Sequence, residues 1–261
     1  MSSKPPHYRL RMLREGLRPF RLHFFPRLRS TNDHAVVLRR RGQLFAPAAV
    51  LGARQIAGRG RGSNTWWSGP GSITVTFALA VDEHLSPTQV PLAAGLAVRD
   101  ALAQIAGEPK IALKWPNDVV YGGRKLAGVL CERILRLDLV GVGVNLNVEL
   151  ADLPRSLRGK VASLRAIAGR TFDPSSAVVL LAKHVLRTFS MRRLHPFAVM
   201  LRDYAAHHVL NGKRLSVRVD PSARPISGRC EGLDDIGRLI VRDSARLHRI
   251  TTGHVSIGGE T

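Results

Sequence analysis

Residues 72–81 read SITVTFALAV, β-branched or apolar at nearly every position. Such a segment predicts a buried strand. A second run, LDLVGVGVNLNV at 137–148, has the same character but carries glycines inside it. Buried strands need cover, and the chain supplies helical patterns around them. SPTQVPLAAGLAVRDALAQIAG reads as an amphipathic helix with Ser86 or Thr88 near its start and Gly107 at its stop. DPSSAVVLLAKHVLRTFSMRRL is a second helix, capped by Asp173 with Pro174 at its first position. RLHFFPRLRSTNDHAVVL reads as a strand, a turn and a helix, and Ser30, Thr31 and Asn32 are all good N-cap residues. IALKWPNDVVYGGRKLAGVLCERI reads as a strand entering a Pro-Asn-Asp turn, a glycine turn at Gly122–Gly123, and a second strand. The expected fold class is α/β (α+β in detail), a mixed sheet packed by helices.

The texture changes after DYAAHH. Residues 209–243 form short strand patterns separated by Asn-Gly, Asp-Pro and Asp-Asp turns, which predict a small β-barrel. The expected organisation is a basic N-terminal arm or short helix over 1–21, a main domain over 22–208, and a C-terminal barrel over 209–261.

At 261 residues and 44% hydrophobic content, the chain can build one substantial core with a small satellite. No window approaches a membrane span, and the N-terminus lacks the apolar stretch of a secretory signal. Cys131 and Cys230 have no metal-type spacing, so a reduced, cytoplasmic setting is expected. The formal net charge is +21, and only seven of the 40 basic residues are lysine. Such a field draws in acidic partners and nucleic acid without any specific site; the alternative is a compositional habit of the genome. Against so few lysines, Lys114 and Lys125 in one short stretch stand out.

Four stretches carry chemistry. AGRGRGSNTWWSGPG, residues 57–71, alternates glycine with arginine. Glycines at every second position let backbone N–H groups wrap an anion while Arg59 and Arg61 offer guanidinium forks. It is neither a phosphate-binding loop with Gly-Lys-Ser/Thr nor a dinucleotide fingerprint. A plain surface loop remains the alternative. Trp66 either folds over an apolar ligand or anchors the core. KWPND places Lys114 at a strand end, where an ammonium can neutralise a carboxylate or phosphate. Asn117 and Asp118 either offer oxygens to a hydrated magnesium ion or simply close the turn. RKLAGVL contains Ala127 and Gly128, small enough for close approach of a ligand or another strand. In VGVGVNLN, Gly141 and Gly143 sit inside an apolar strand and Asn145 follows, to read an adenine edge or to cap the next turn.

Together these stretches resemble the biotin protein ligase family. That family carries, in this order, Ser30-Thr31-Asn32, Gln55, the loop Gly58 to Arg61, the box Lys114 to Asp118, the box Arg124 to Gly128, and the strand Gly141 to Asn145. The likeness covers roughly residues 22 to 208, and the tail resembles the family's SH3-like C-terminal domain. One departure is Gly62-Ser63-Asn64-Thr65, where the family usually has another basic residue.

The resemblance implies a two-step reaction. Biotin and Mg·ATP give biotinyl-5′-AMP, and a lysine of a biotin carrier domain, such as that of acetyl-CoA carboxylase, then takes the biotinyl group. It implies Lys114, Arg59 and Arg61 as the catalytic set. Ser30, Thr31, Asn32, Gln55, Gly60, Trp66 and Gly128 join them around biotin. Asn117, Lys125 and Asn145 join them around ATP, and Asp118 is the implied magnesium ligand. The loop is expected to be mobile when empty. No membrane partner and no specific DNA partner is expected, because residues 1–21 are too few for a helix-turn-helix domain; the oligomeric state, a homodimer included, stays open. The rivals are a lipoate or octanoate ligase or transferase of the same fold and a non-enzymatic nucleic-acid binder. An octanoyl transferase needs a cysteine nucleophile, for which Cys131 is the one candidate.

The excess charge has a measurable consequence if it serves docking. Carrier domains of this family are commonly acidic, so salt is expected to slow transfer to the carrier much more than adenylate formation. Rates of both half-reactions between low and physiological salt test this. Equal salt dependence would reduce the charge to compositional habit.

Overall fold

The computed structural model describes residues 7–192, 195–220 and 222–258. Residues 1–6 of the arm and the last two positions of the second predicted helix lie outside them.

The chain builds two sheets. Seven strands form the first: β1 (Arg21–Phe25), β2 (Ala48–Gly52), β3 (Ser72–Ala80), β4 (Ala112–Lys114), β5 (Asp118–Tyr121), β6 (Arg124–Ile134) and β7 (Leu137–Asn145). Their spatial order is β1-β2-β3-β7-β6-β5-β4. Only the β1–β2 pair is parallel, so the sheet is mixed as expected. The DVVY segment is a strand of its own, β5, where the sequence predicts only a turn region between two strands.

The helices are α1 (Leu10–Gly16), α2 (Thr31–Arg40), α3 (Val90–Ala106), α4 (Leu164–Ala168), α5 (Pro174–Arg192) and α6 (Phe197–Ala206). Of the three cap candidates at α2, Ser30 takes the role: its extended backbone lets its hydroxyl accept from the Asp33 N–H. At α5 the Asp173 carboxylate accepts from the Ser176 N–H at 2.7 Å, which is the predicted cap. Helix α3 begins after Gln89, a little beyond the predicted Ser86 or Thr88, and ends at Gly107 in the left-handed conformation. Segment 1–21 contains α1, whose Leu13 is buried with Leu17 and Phe20 in the main core.

Strands β2 and β7 are buried throughout, and β3 at all but its last residue. Alternation along a strand sends successive side chains to opposite faces. One face of the sheet offers Ile73, Val75, Phe77, Val140, Val142 and Val144 to the core that includes α3 and α5. The other face offers Ala48, Val50, Ala78, Leu137 and Leu139 to Ala35 and Leu38 of α2. Beyond Leu139 that second face continues with Gly141 and Gly143, and there the packing gives way to a cavity.

The second sheet holds β8 (Arg214–Arg218), β9 (Ile226–Leu233), β10 (Leu239–Arg242), β11 (Leu247–Ile250) and β12 (His254–Ile257), all antiparallel, in the order β11-β10-β9-β8-β12. It is the small antiparallel unit expected of an SH3-like domain. The Trp115 indole N–H donates to the Gly237 carbonyl at 3.0 Å, tying this sheet to the turn after β4.

The chain after α6 extends the edge of the first sheet. Leu113 N–H donates to the His207 carbonyl and Val209 N–H to the Leu113 carbonyl, at 2.8 and 2.9 Å. His208 lies between these bonds, with its ring 5.8 Å from that of Tyr204. Burial pulls its pKa down from 6.5 to about 4. The folded chain therefore holds the ring neutral, while the unfolded chain takes up a proton below about pH 6.5. Stability from this group is complete above pH 6.5 and lost as pH falls toward 4. The difference is on the order of 3 kcal/mol. Urea midpoints of the parent and of His208→Gln between pH 7 and 4 measure it: the parent is expected to lose stability more steeply, and parallel curves would refute the assignment.

Candidate active site

The cavity, of about 830 Å³, is roofed by the glycine–arginine loop and floored by the sheet. Its floor follows from strand register. Thr76, Gly141 and Leu130 form one cross-strand row, and Thr74, Gly143 and Gly128 the next. The missing side chains are what leave room. A Cβ on Gly143 would lie 2.4 Å from the Trp66 ring, and one on Gly128 would lie 2.9 Å from the Lys125 side chain. Trp66 is thus laid flat on a glycine floor as an apolar cavity wall.

The loop is a short hairpin. Trp66 N–H donates to Gly58 O at 2.9 Å and Gly60 N–H to Asn64 O at 2.8 Å. Gly58 is required by closeness: a Cβ there would lie 2.4 Å from the Trp66 carbonyl oxygen. In this structure these bonds and its two arginines hold the loop in place. Arg59 reaches Asp33 at 2.6 Å with one nitrogen and Glu132 with another. Burial lowers its pKa, but the bond to Glu132 and the two nearby carboxylates outweigh that and raise it overall. Arg61 donates to the Gly253 carbonyl at 2.7 Å, just before β12. Burial lowers its pKa, against the opposing pull of Asp118 and Tyr204.

At one wall, Thr31 N–H donates to the Gln55 side-chain oxygen at 2.9 Å. Asn32 donates to Glu132 at 2.7 Å and accepts from the Thr76 hydroxyl at 2.6 Å. At the opposite wall, Lys114 ends β4 and is half-buried, in register with Asp118 on β5. Asn117 is buried and donates to Val129 O at 2.7 Å. Lys125 pairs with Asp118 at 2.7 Å and lies 5.8 Å from the centre of the Trp66 ring. The residues singled out from the sequence thus converge: Ser30, Thr31, Asn32, Gln55, Arg59, Gly60, Arg61, Trp66, Lys114, Asn117, Asp118, Lys125 and Gly128 all line the cavity. Asn145 does not. Its amide donates to the Lys125 carbonyl at 3.3 Å, which makes it a strand tie in this structure.

Four contributions were not legible. Lys160 and its neighbours from Ser156 line the mouth, held by the bond from Lys125 N–H to Lys160 O. His254 to Ser256 of β12 line it from the second sheet. Asp33 and Glu132 matter only through Arg59. None of these has a local sequence signature, because each gains its meaning from contacts far along the chain.

Electrostatics favours an anion. Five cations, Arg59, Arg61, Lys114, Lys125 and Lys160, line the cavity against one carboxylate, Asp118. Among the described residues, Arg59 and Lys125 are matched by carboxylates, whereas Lys114 has no ion-pair partner. A half-buried ammonium without an ion-pair partner is open to an incoming anion. No group of three or more His, Cys, Asp or Glu residues among those described is placed to hold a metal. Asp118 alone, already paired with Lys125, does not make a resident metal site.

Residues 24–149 match the Biotin/lipoate A/B protein ligase family. This gives the class that the match points to, the biotin and lipoate ligases. Within the class, the chain is 31% identical to the biotin–[acetyl-CoA-carboxylase] ligase of Paracoccus denitrificans, over 88% of this chain and 99% of that one. It is 29% identical, over 80% of its length, to the bifunctional ligase/repressor of Bacillus subtilis, and spans 66% of that protein. The biotin protein ligase of Aquifex aeolicus, solved with biotin and ATP, superposes with a TM-score of 0.80 at 25% identity, covering 91% of this chain and 98% of that one. The chain belongs to the biotin protein ligase family.

The octanoyl-transferase rival has no nucleophile here. Cys131 is absent from the cavity lining, and burial, with help from Asp138 and Glu132, pushes its thiol pKa up. In the native protein at pH 8, iodoacetamide is expected to alkylate Cys131 many-fold more slowly than in urea. Peptide mass spectrometry follows it, and equal rates would reopen that reading.

Proposed function

We propose that this chain is an ATP-dependent biotin protein ligase acting in the cytoplasm. The observation that carries the mechanism is the ammonium of Lys114, set in a mainly cationic cavity and without an ion-pair partner among the described residues. A biotin carboxylate oxygen attacks the α-phosphorus of Mg·ATP. The bond to the β-phosphate oxygen breaks, and pyrophosphate leaves with the magnesium ion. The product is biotinyl-5′-AMP. The neutral amine of a carrier lysine then attacks the acyl carbon, an amide forms, AMP leaves with the bonding electron pair, and the amine's proton passes to solvent.

Lys114 sits where carboxylate and α-phosphoryl oxygens crowd together, and a fixed cation there stabilises the transition state more than either separated substrate. Arg61 and Lys125 complete the cationic wall around the phosphate. Ser30, Thr31, Asn32 and Gln55 present hydrogen-bonding groups at the end expected to hold the ureido ring. Trp66 covers the apolar chain between the two ends. Asn117, with its amide held by β6, shapes the turn beside the nucleotide. The acceptor is a biotin carrier domain of a biotin-dependent carboxylase.

ATP–pyrophosphate exchange tests this reading directly. Exchange is expected with biotin and not with lipoate or octanoate. Lys114→Ala is expected to stay folded and lose about 10²- to 10³-fold in exchange rate, the usual effect of removing one such group. Biotin-independent exchange, or a fully active Lys114→Ala, would overturn it.

A further inference from the structure

The two arginines of the loop stand in different electrostatic settings. Arg59 spreads its fork between two carboxylates on two different elements: Asp33 in the first turn of α2, and Glu132 on β6. Glu132 is itself held in place. Its second oxygen accepts from the Asn32 amide at 2.7 Å, and Asn32 is fixed in turn by the Thr76 hydroxyl and by the Leu130 carbonyl. Gly141 makes the space for this: a Cβ there would lie 2.1 Å from the Asn32 oxygen. A chain of contacts therefore runs from β3 through α2 and β6 to the base of the loop.

A phosphate placed on Arg59 would meet Asp33 and Glu132 as like charges, two against one cation. Arg61, two residues further on, donates to a neutral carbonyl and forms no ion pair among the described residues, with Asp118 acting on it only through longer-range attraction. From this contrast we infer that Arg59 is a positioning residue, the latch that holds the loop to the sheet, with Asp33, Glu132 and Asn32 as its keeper. The phosphate contact of the loop falls to Arg61. The latch also joins the loop to the wall formed by Thr31, Asn32 and Gln55, so occupancy of that wall and closure of the loop share one network. The first part of this inference is independent of the ligand; the second rests on the biotin ligase reading.

The test uses the full chain with Glu132→Gln and with Asp33→Asn/Glu132→Gln. Hydrogen–deuterium exchange of the peptide spanning residues 57–66, without ligand, reads the latch. Two partly exposed charge pairs are each modest, so their joint loss is expected to speed exchange there about ten-fold. Exchange in β3 and β7 should stay unchanged, which separates unlatching from general destabilisation. If the double variant fails to fold, the single variant decides. Steady-state adenylation reads the second part: biotin KM is expected to rise about ten-fold with kcat within about two-fold, and Arg59→Lys, which keeps the charge but not the fork, to fall between parent and double variant. Parent-like exchange in the loop peptide would overturn the latch. A fall in kcat with unchanged KM would place Arg59 on the reacting phosphate instead. Should the parent show no biotin-dependent activity, the ligase reading fails, while the ligand-free exchange still decides the latch.

Discussion

A sheet packed on both faces leaves no room for a ligand, and the site of this protein depends on how that packing is withheld. One face of β3 and β7 is filled by Ile73, Val75, Phe77 and the valines of β7. The other is filled only as far as Leu139. Past that point Gly141, Gly143 and Gly128 present bare backbone, and Asn32 and Trp66 come down onto it at distances no side chain would permit. Rigidity and vacancy thus come from the same strands. The packed face holds the floor flat, and the bare face lets Asn32 and Trp66 lie against it as walls of the cavity.

The second constraint is charge. Cations cluster in the cavity because the substrates proposed for it are anions at the reacting end. Yet a set of free cations would repel itself in the empty protein. The structure resolves this unevenly: Lys125 is matched by Asp118 and Arg59 by Asp33 and Glu132, while Lys114, Arg61 and Lys160 form no ion pair among the described residues. The matched cations are tied to the scaffold, and the three without an ion pair are left open to an anion. That division follows from where carboxylates fall on α2, β5 and β6.

Much of the sheet and most of the site were legible because the signals are local. SITVTFALAV has to be buried whatever surrounds it, and Asp173-Pro174 starts a helix by its own geometry. The boxes around Arg59, Lys114 and Gly128 carry dense, ordered residue types that few unrelated chains would share. What escaped the sequence was of two kinds. DVVY is short and lies between turns, so strand β5 is specified mainly by its partners β4 and β6. Lys160, His254 and Glu132 reach the site only through long-range folding, and nothing beside them in the chain announces it. The role of Asn145 shows the converse: a polar residue at a strand end is as well used by a backbone carbonyl as by a base edge.

The second sheet has a part in the site that its position at the end of the chain conceals. Arg61 meets it at the Gly253 carbonyl and Trp115 meets it at the Gly237 carbonyl. Those contacts bracket the cavity, one at the loop and one at the turn that follows Lys114. Both acceptors are backbone carbonyls of glycines, so they give position without neutralising charge. The loop is accordingly held at two points of opposite kind, by an ion-pair network at Arg59 and by a neutral hydrogen bond at Arg61. An anion arriving between them competes poorly for the first and readily for the second. The weaker tie is therefore the one placed to exchange a carbonyl for a phosphate oxygen, with the loop's base still fixed.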